Sequence, residues 1–349
     1  MVPVMLPRLP TANDVHPYLS RIDDARVYSN FGPLVTELEG RYAQYLNVNP
    51  QAVVTVSSAT QGLIGAISVS GARSWTVPVW TFPATGLSVL LSGYPLVLAD
   101  VLHDSWLLDP KIQPKDSGVV PVMPFGGPVQ LEAWSDWNEV VIDAAASIGQ
   151  EPDLGCLPAN YSVVFSLHAT KVLGCGEGGI VVFGDVSRAQ EFRAWTNFGF
   201  AGSRTSKRIG TNAKMAEVSA AYALAALDNW SLEKQEWEQA HRLAMEVMTR
   251  LGLSGGPTVL DGTTPYWIVE LETEEMRIEA ERRLAEQGVQ TRKWWPAALS
   301  EMPVFEGHAI TCEPFPSATA LAHRVLGLPM FRKLPTHVAE LVAEALSNL

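Results

Sequence analysis

Short apolar runs at residues 52–56, 75–79, 95–99, 118–122, 140–142, 161–165 and 180–183 carry no polar alternation. That is the pattern of strands covered on both faces. Helical signals fall between them. Residues 60–69 follow Ser57-Ser58-Ala59, and 84–91 follow Pro83. The alternation predicts an α/β core with a mostly parallel central sheet and helices on both faces. The texture changes near residue 231. Leu232, Trp237, Ala240, Leu243, Ala244, Val247 and Leu251 recur at three- and four-residue steps, which predicts a long amphipathic helix. After Gly255-Gly256-Pro257 the pattern predicts a strand at 266–271 and a charged helix at 274–287 closed by Gly288. A strand near 289–292 and a last helix at 337–346 follow. This second stretch reads as a smaller α/β unit. The boundary is placed between 235 and 258, giving a large unit at 1–245, the N-terminal segment included, and a small one at 246–349.

Composition agrees with a folded chain. Of 349 residues, 47% are hydrophobic and 18% charged, enough apolar material for a large core. The net charge of −12 argues against nucleic acid or an acidic membrane as partner. It leaves room for an anionic small substrate held by a local basic loop. Residues 74–99 are uncharged and long enough to cross a bilayer. Pro78, Pro83 and Pro95, with Gly86 and Gly93, would break such a helix, so the expectation is a buried strand, helix and strand. The first residues lack a basic stretch and are interrupted by Pro3 and Pro7, unlike a secretory signal. Cys156, Cys175 and Cys312 are odd in number and scattered, which fits a reducing cytoplasm rather than a disulfide framework. His103, His241, His308 and His323 show no metal-ligand spacing, and no metal is expected.

Three segments carry chemistry. In Val-Thr-Val-Ser-Ser-Ala-Thr-Gln-Gly-Leu, 54–63, a strand gives way to small hydroxyl residues and a helix start. The free N–H groups there suit a phosphate, or the serines simply cap the helix. In Val-Val-Ile-Asp-Ala-Ala-Ala, 140–146, Asp143 stands at the carboxyl end of an apolar strand, where open α/β sheets bind ligands. It could hold a protonated heterocyclic nitrogen, or again cap a helix. In Phe-Ser-Leu-His-Ala-Thr-Lys-Val-Leu-Gly-Cys-Gly-Glu-Gly-Gly, 165–179, Lys171 follows a strand amid residues poor in charge. A partly desolvated lysine there is suited to nucleophilic attack on a carbonyl; the alternative is a solvated loop lysine.

Phosphate cradle, ring-nitrogen acid and reactive lysine, in that order on one sheet, resemble the DegT/DnrJ/EryC1/StrS family of pyridoxal-phosphate (PLP)-dependent sugar aminotransferases. The resemblance extends through Tyr28-Ser-Asn-Phe-Gly-Pro, Pro78-Val-Trp-Thr-Phe-Pro-Ala-Thr, Pro121-Val-Met-Pro-Phe-Gly, Gly210-Thr-Asn-Ala-Lys-Met-Ala-Glu and Leu326-Gly-Leu-Pro. It implies the fold of aspartate aminotransferase, fold type I. It implies that Lys171 carries the cofactor and shuttles a proton, and that Asp143 pairs with the pyridinium nitrogen. Ser58, Ala59, Thr60 and Ser166 would bind the phosphate and Phe82 would stack on the ring. Asn212 would reach the phosphate of a neighbouring subunit, so that a homodimer shares its active sites. The implied reaction moves an amino group from L-glutamate to a C3 or C4 keto group of a nucleotide-linked deoxy sugar, feeding O-antigen, other surface glycans or secondary metabolites.

The chain departs from the family pattern at Ala146, where a glutamine is usual, at Phe198 in Asn197-Phe198-Gly199, where a histidine is usual, and at Lys214, usually an arginine. None of these removes a reacting group. For the sugar substrate two stretches stand out. Gly202-Ser-Arg-Thr-Ser-Lys-Arg offers Arg204, Lys207 and Arg208 to a diphosphate, or is a solvated loop. Arg292-Lys-Trp-Trp offers Trp294 and Trp295 to a sugar or nucleotide, or its tryptophans fill the small unit's core. His168 and Cys175 are expected to pack rather than react. The competing functions are amination of a non-nucleotide ketone such as a cyclitol, and a regulatory homologue without cofactor.

Overall fold

The computed structural model describes residues 1–112, 117–255, 262–312, 314–347 and 349. The Gly256-Pro257 break lies outside them. Among the described residues the first elements are α1 (Ala12–Ala25), α2 (Pro33–Tyr45), β1 (Val53–Val56), α3 (Ala59–Ser68), β2 (Trp75–Pro78), α4 (Pro83–Leu91) and β3 (Leu96–Ala99). Next come β4 (Gly118–Val119), β5 (Glu139–Asp143), β6 (Tyr161–Ser166), β7 (Gly179–Phe183), α5 (Val186–Trp195) and α6 (Glu217–Leu251). Last are β8 (Trp267–Glu270), α7 (Glu274–Glu286), β9 (Ala309–Thr311), α8 (Pro316–Arg324), β10 (Val325–Leu328) and α9 (Thr336–Leu346).

Eight strands form one sheet in the order β1-β7-β6-β5-β4-β2-β3-β9. All neighbours are parallel except β7, which runs antiparallel to both β1 and β6. Successive strand residues point to opposite faces, and here both faces are core. Val140, Ile142, Val163, Phe165, Ile180 and Val182 pack under α1, α2 and α6. Val141, Val164, Val181 and Phe183 pack against α3, α4 and α5. This double burial is why the strands read as continuous apolar runs.

The expected strand at 118–122 closes after Val119, because Pro121 has no N–H to give to a ladder. The expected strand near 289–292 is not a strand. It makes two isolated bridges, Val289 with Val2 and Arg292 with Gly327, and its residues after Val289 are polar. The expected amphipathic helix is the second half of α6, which extends back to Glu217. Its first half was hidden because Ala220, Ala221, Ala223, Leu224, Ala225 and Ala226 are all buried, so that no polar face marks it. In the C-terminal stretch β8 pairs antiparallel with β10, while β9 joins the large sheet beside β3.

The start of α6 also fixes α2. Glu217 is fully buried, and its carboxylate accepts the free first-turn N–H groups of Leu34 at 2.8 Å and Val35 at 3.0 Å. Glu217→Ala should therefore cost about 2–3 kcal/mol in urea unfolding, with Glu217→Gln losing less because the amide oxygen still accepts one bond. Equal stability of both variants to the native chain would show the cap to be dispensable.

Candidate functional site

Parallel strands deliver their carboxyl ends to one edge of a sheet, and the chemistry-bearing segments all emerge there. β1 leads through Ser57 into α3, β2 through Thr81 into α4, β5 ends on Asp143 and β6 ends on Ser166. Together with the loop carrying Lys171 they enclose a cleft of about 420 Å³. Of the residues singled out in the sequence, Ser58, Ala59, Thr60, Phe82, Asp143, Ser166, Lys171, Trp294 and Trp295 line it.

At one end lies the first turn of α3. Ser58 caps it, its hydroxyl accepting from the N–H of Gln61 at 3.3 Å. The N–H groups of Ala59 and Thr60 belong to the first turn, where no preceding helical carbonyl can accept them. Gly179 of β7 packs directly against this turn. A Cβ there would lie 2.8 Å from the Ala59 nitrogen and 3.0 Å from the Ser58 carbonyl carbon. The Gly-Gly pair that ends the lysine segment is thus what lets the turn approach β7. Ser166 adds a hydroxyl from the neighbouring strand, its oxygen accepting from the His168 N–H at 3.2 Å.

Asp143 is 6% exposed. Thr85 donates to its Oδ2 at 2.7 Å and the Ala145 N–H to its Oδ1 at 3.2 Å, with Thr81 3.1 Å behind Thr85. Burial raises the carboxyl above its ordinary range. The two hydrogen bonds and the charge of Lys171 oppose that rise without cancelling it. A carboxylate so placed is poised for a cation with a donor hydrogen. Phe82 lines the cleft with 59% exposure.

Lys171 donates from Nζ to the hydroxyl of Tyr266 at 2.7 Å. Tyr266 carries no signal in the sequence: it reaches the cleft by tertiary packing and does not follow a strand end in a small-residue context. Arg292 lines the cleft with Trp294 and Trp295, from the stretch the sequence offered to a sugar or nucleotide. An aromatic wall completes the cleft. Phe125 stacks on Trp295 at 4.2 Å, and Trp80 meets Trp106 and Trp295 edge-on at 5.4 and 4.9 Å. The backbone carbonyl of Trp295 accepts from Trp80 Nε1 at 3.1 Å.

His168 borders the cleft, and its Nδ1 accepts the Thr170 N–H at 3.2 Å, so the ring is committed locally. Cys175 is buried, and burial pushes its thiol up to about 12, which excludes a ready thiolate. Ala146 lines the cleft as the sequence placed it. The basic loop and Asn212 do not line it. Arg204 and Lys207 are exposed, and Arg208 pairs with Glu191 at 3.1 Å. Asn212 is held against Asn197 by Lys214, which donates to Asn197 Oδ1 at 2.9 Å and to Asn212 Oδ1 at 2.7 Å. Among the described residues no cluster could hold a metal ion, and no helix is long and apolar enough to cross a membrane.

The donor set fits pyridoxal phosphate. Around one cleft stand first-turn N–H groups and a serine hydroxyl suited to a phosphate, a buried carboxylate suited to a ring N–H, an exposed phenylalanine suited to stacking, and the Lys171 amine. The comparisons agree. The profile of the DegT/DnrJ/EryC1/StrS aminotransferase family matches residues 11–347. A dTDP-4-amino-4,6-dideoxy-D-glucose transaminase from Shigella dysenteriae is 26% identical over 363 residues, covering 99% of this chain and 98% of that protein. A dTDP-3-amino-3,4,6-trideoxy-alpha-D-glucose transaminase from Streptomyces venezuelae is 27% identical over 328 residues, covering 89% and 86%. The crystal structure of DesI with its TDP-sugar product superposes with a TM-score of 0.85 at 28% identity, over 99% of this chain and 93% of that one. The chain belongs to the DegT/DnrJ/EryC1/StrS aminotransferase family, and it is a pyridoxal-phosphate-dependent transaminase of fold type I.

Proposed function

We propose that the protein transfers the amino group of L-glutamate to the C3 or C4 keto group of a nucleotide-linked deoxy sugar. The observation that carries the reading is the convergence of Lys171, Asp143 and the first turn of α3 on one cleft. The relatives that act on dTDP-linked amino sugars support the substrate class. Pyridoxal phosphate supplies an electrophilic carbon for the amine and a ring that accepts the electron pair left when the donor's α-C–H bond breaks. The chain's own groups do the rest. Ala59 and Thr60 N–H groups, with the Ser58 and Ser166 hydroxyls, would anchor the phosphate. Asp143 would keep a proton on the ring nitrogen, the state in which the ring withdraws electrons best. Lys171 Nζ would take the donor's α proton and deliver it to the cofactor carbon that receives the amine. Phe82 would stack on the ring, and the Phe125–Trp295 stack gives the cleft an apolar wall.

The family resemblance supports an assembly with shared sites. The basic loop and Asn212 lie outside their own chain's cleft, so we assign them to the cleft of a second copy in a homodimer with shared sites. Arg204, Lys207 and Arg208 would then meet the sugar's diphosphate. Division into a large unit at 1–245 and a small one at 246–349, and a cytoplasmic location in a surface-glycan or secondary-metabolite pathway, belong to the same reading.

Purified protein with pyridoxal phosphate should show a yellow absorption band that L-glutamate bleaches. Lys171→Ala should not form it normally, and its half-reaction should slow by about 10²–10⁴-fold. No band in the native chain even with added cofactor would overturn the reading in favour of a regulatory homologue. In steady state, the double change Arg204→Ala/Lys207→Ala should raise KM for a nucleotide-linked keto sugar about tenfold or more and leave that for glutamate unchanged. No change for either substrate would favour a non-nucleotide ketone such as a cyclitol.

A further inference from the structure

The partner of Lys171 arrives from the far side of the cleft. Tyr266 lies just before β8, 95 residues further along the chain, and its hydroxyl accepts from Lys171 Nζ at 2.7 Å. The same Nζ stands 5.1 Å from the centre of the phenol ring. At those two distances the nitrogen lies beside the hydroxyl, near the plane of the ring, so the oxygen is what holds it.

The phenol has little freedom. Its backbone N–H donates to Thr264 Oγ1 at 3.3 Å, and that hydroxyl donates to the carbonyl of Phe125 at 2.9 Å. The ring meets Phe125 edge-on at 5.5 Å and Trp294 at 5.2 Å. Trp294 is fixed in turn. Its indole lies so close over Gly327 that a Cβ there would sit 2.3 Å from Nε1. On its other side the Arg292 guanidinium stands 4.8 Å from the ring. Arg292, Trp294, Tyr266 and Lys171 thus form a row of consecutive contacts from the mouth of the cleft to the amine. Tyr266 itself is only 9% exposed.

We propose that Tyr266 is a positioning residue for Lys171: its hydroxyl fixes the lysine amine in the cleft whenever that amine is free. A lysine side chain has four rotatable bonds and would otherwise disperse over several rotamers. A base that must return its proton to a defined carbon gains from one fixed resting place.

The inference rests on Lys171 being the reactive lysine, as proposed above, but its test does not need the loaded enzyme. In protein freed of cofactor, the rate of Lys171 acetylation at one fixed pH is read by mass spectrometry for the native chain and for Tyr266→Phe. The variant keeps the ring and its packing and loses only the accepting oxygen. Its Lys171 should be acetylated about two- to tenfold faster, because the hydroxyl no longer holds the amine in one place. The thermal midpoint should stay near that of the native chain. In the loaded enzyme the glutamate half-reaction should slow about tenfold with KM for glutamate unchanged. An unchanged acetylation rate in a folded Tyr266→Phe would overturn the proposal and leave Tyr266 as packing alone. A visible band retained by Lys171→Ala would instead overturn the assignment of Lys171, a failure the labelling experiment does not produce.

Discussion

The structure turns on a buried carboxylate. Asp143 closes β5 at the middle of the sheet, 6% exposed, bonded by a threonine hydroxyl and one backbone N–H. Folding gains nothing by ionising such a group, because desolvation outweighs two neutral hydrogen bonds. A cap of this kind on the surface would cost nothing. Buried at the floor of a cleft, beside a lysine and opposite a helix start, it is tolerated for what it binds. The surrounding arrangement follows from the same position. Parallel strands bring Ser58, Thr81, Asp143 and Ser166 to one edge, and the glycine at 179 lets α3 lie close enough to β7 for its free N–H groups to share that edge.

Two kinds of contact complete the cleft, and they differ in how sequence encodes them. The large-sheet contribution is local: each group stands within a few residues of a strand end. The second contribution comes from the C-terminal stretch, through Tyr266, Arg292, Trp294 and Trp295. These residues sit on short segments around the β8–β10 pair, and their placement depends on Gly327 and on the bridge between Arg292 and Gly327. A cleft built from two such sources can change its reacting groups and its substrate-facing wall independently. The aromatic wall is correspondingly particular: Phe125 and Trp295 stack at the cleft, and buried Trp80 and Trp106 interlock edge to face behind them.

The same difference explains what the chain discloses in one dimension. Asp143 and Lys171 are visible because each follows an apolar run and is flanked by small residues, so a strand end and a turn can be placed by inspection. β5, β6 and β7 are visible because both their faces are core. The first half of α6 is invisible for the opposite reason, since its alanines are buried all round and leave no periodicity to find. Tyr266 is invisible because its role is fixed by a contact across 95 residues, and a tyrosine at the start of a strand carries no signal of its own. The stretch at 289–292 invites a strand by position, yet it has one apolar residue and makes only two bridges. Arg204, Lys207, Arg208 and Asn212 stand out in the sequence, but the fold of a single chain leaves them outside its own cleft.

The most direct test of this account is the thermal midpoint of cofactor-free protein, native against Asp143→Asn, at neutral and at mildly acid pH. Because burial raises the folded-state value of the carboxyl, its ionisation costs stability. That cost is absent at low pH and fully present once pH has passed the raised value. The account predicts that Asp143→Asn melts higher than the native chain at neutral pH, that the gap closes in acid, and that pyridoxal phosphate reverses the order. A variant less stable than the native chain at neutral pH without cofactor would contradict it, making Asp143 a structural cap rather than a group held ready for a ligand.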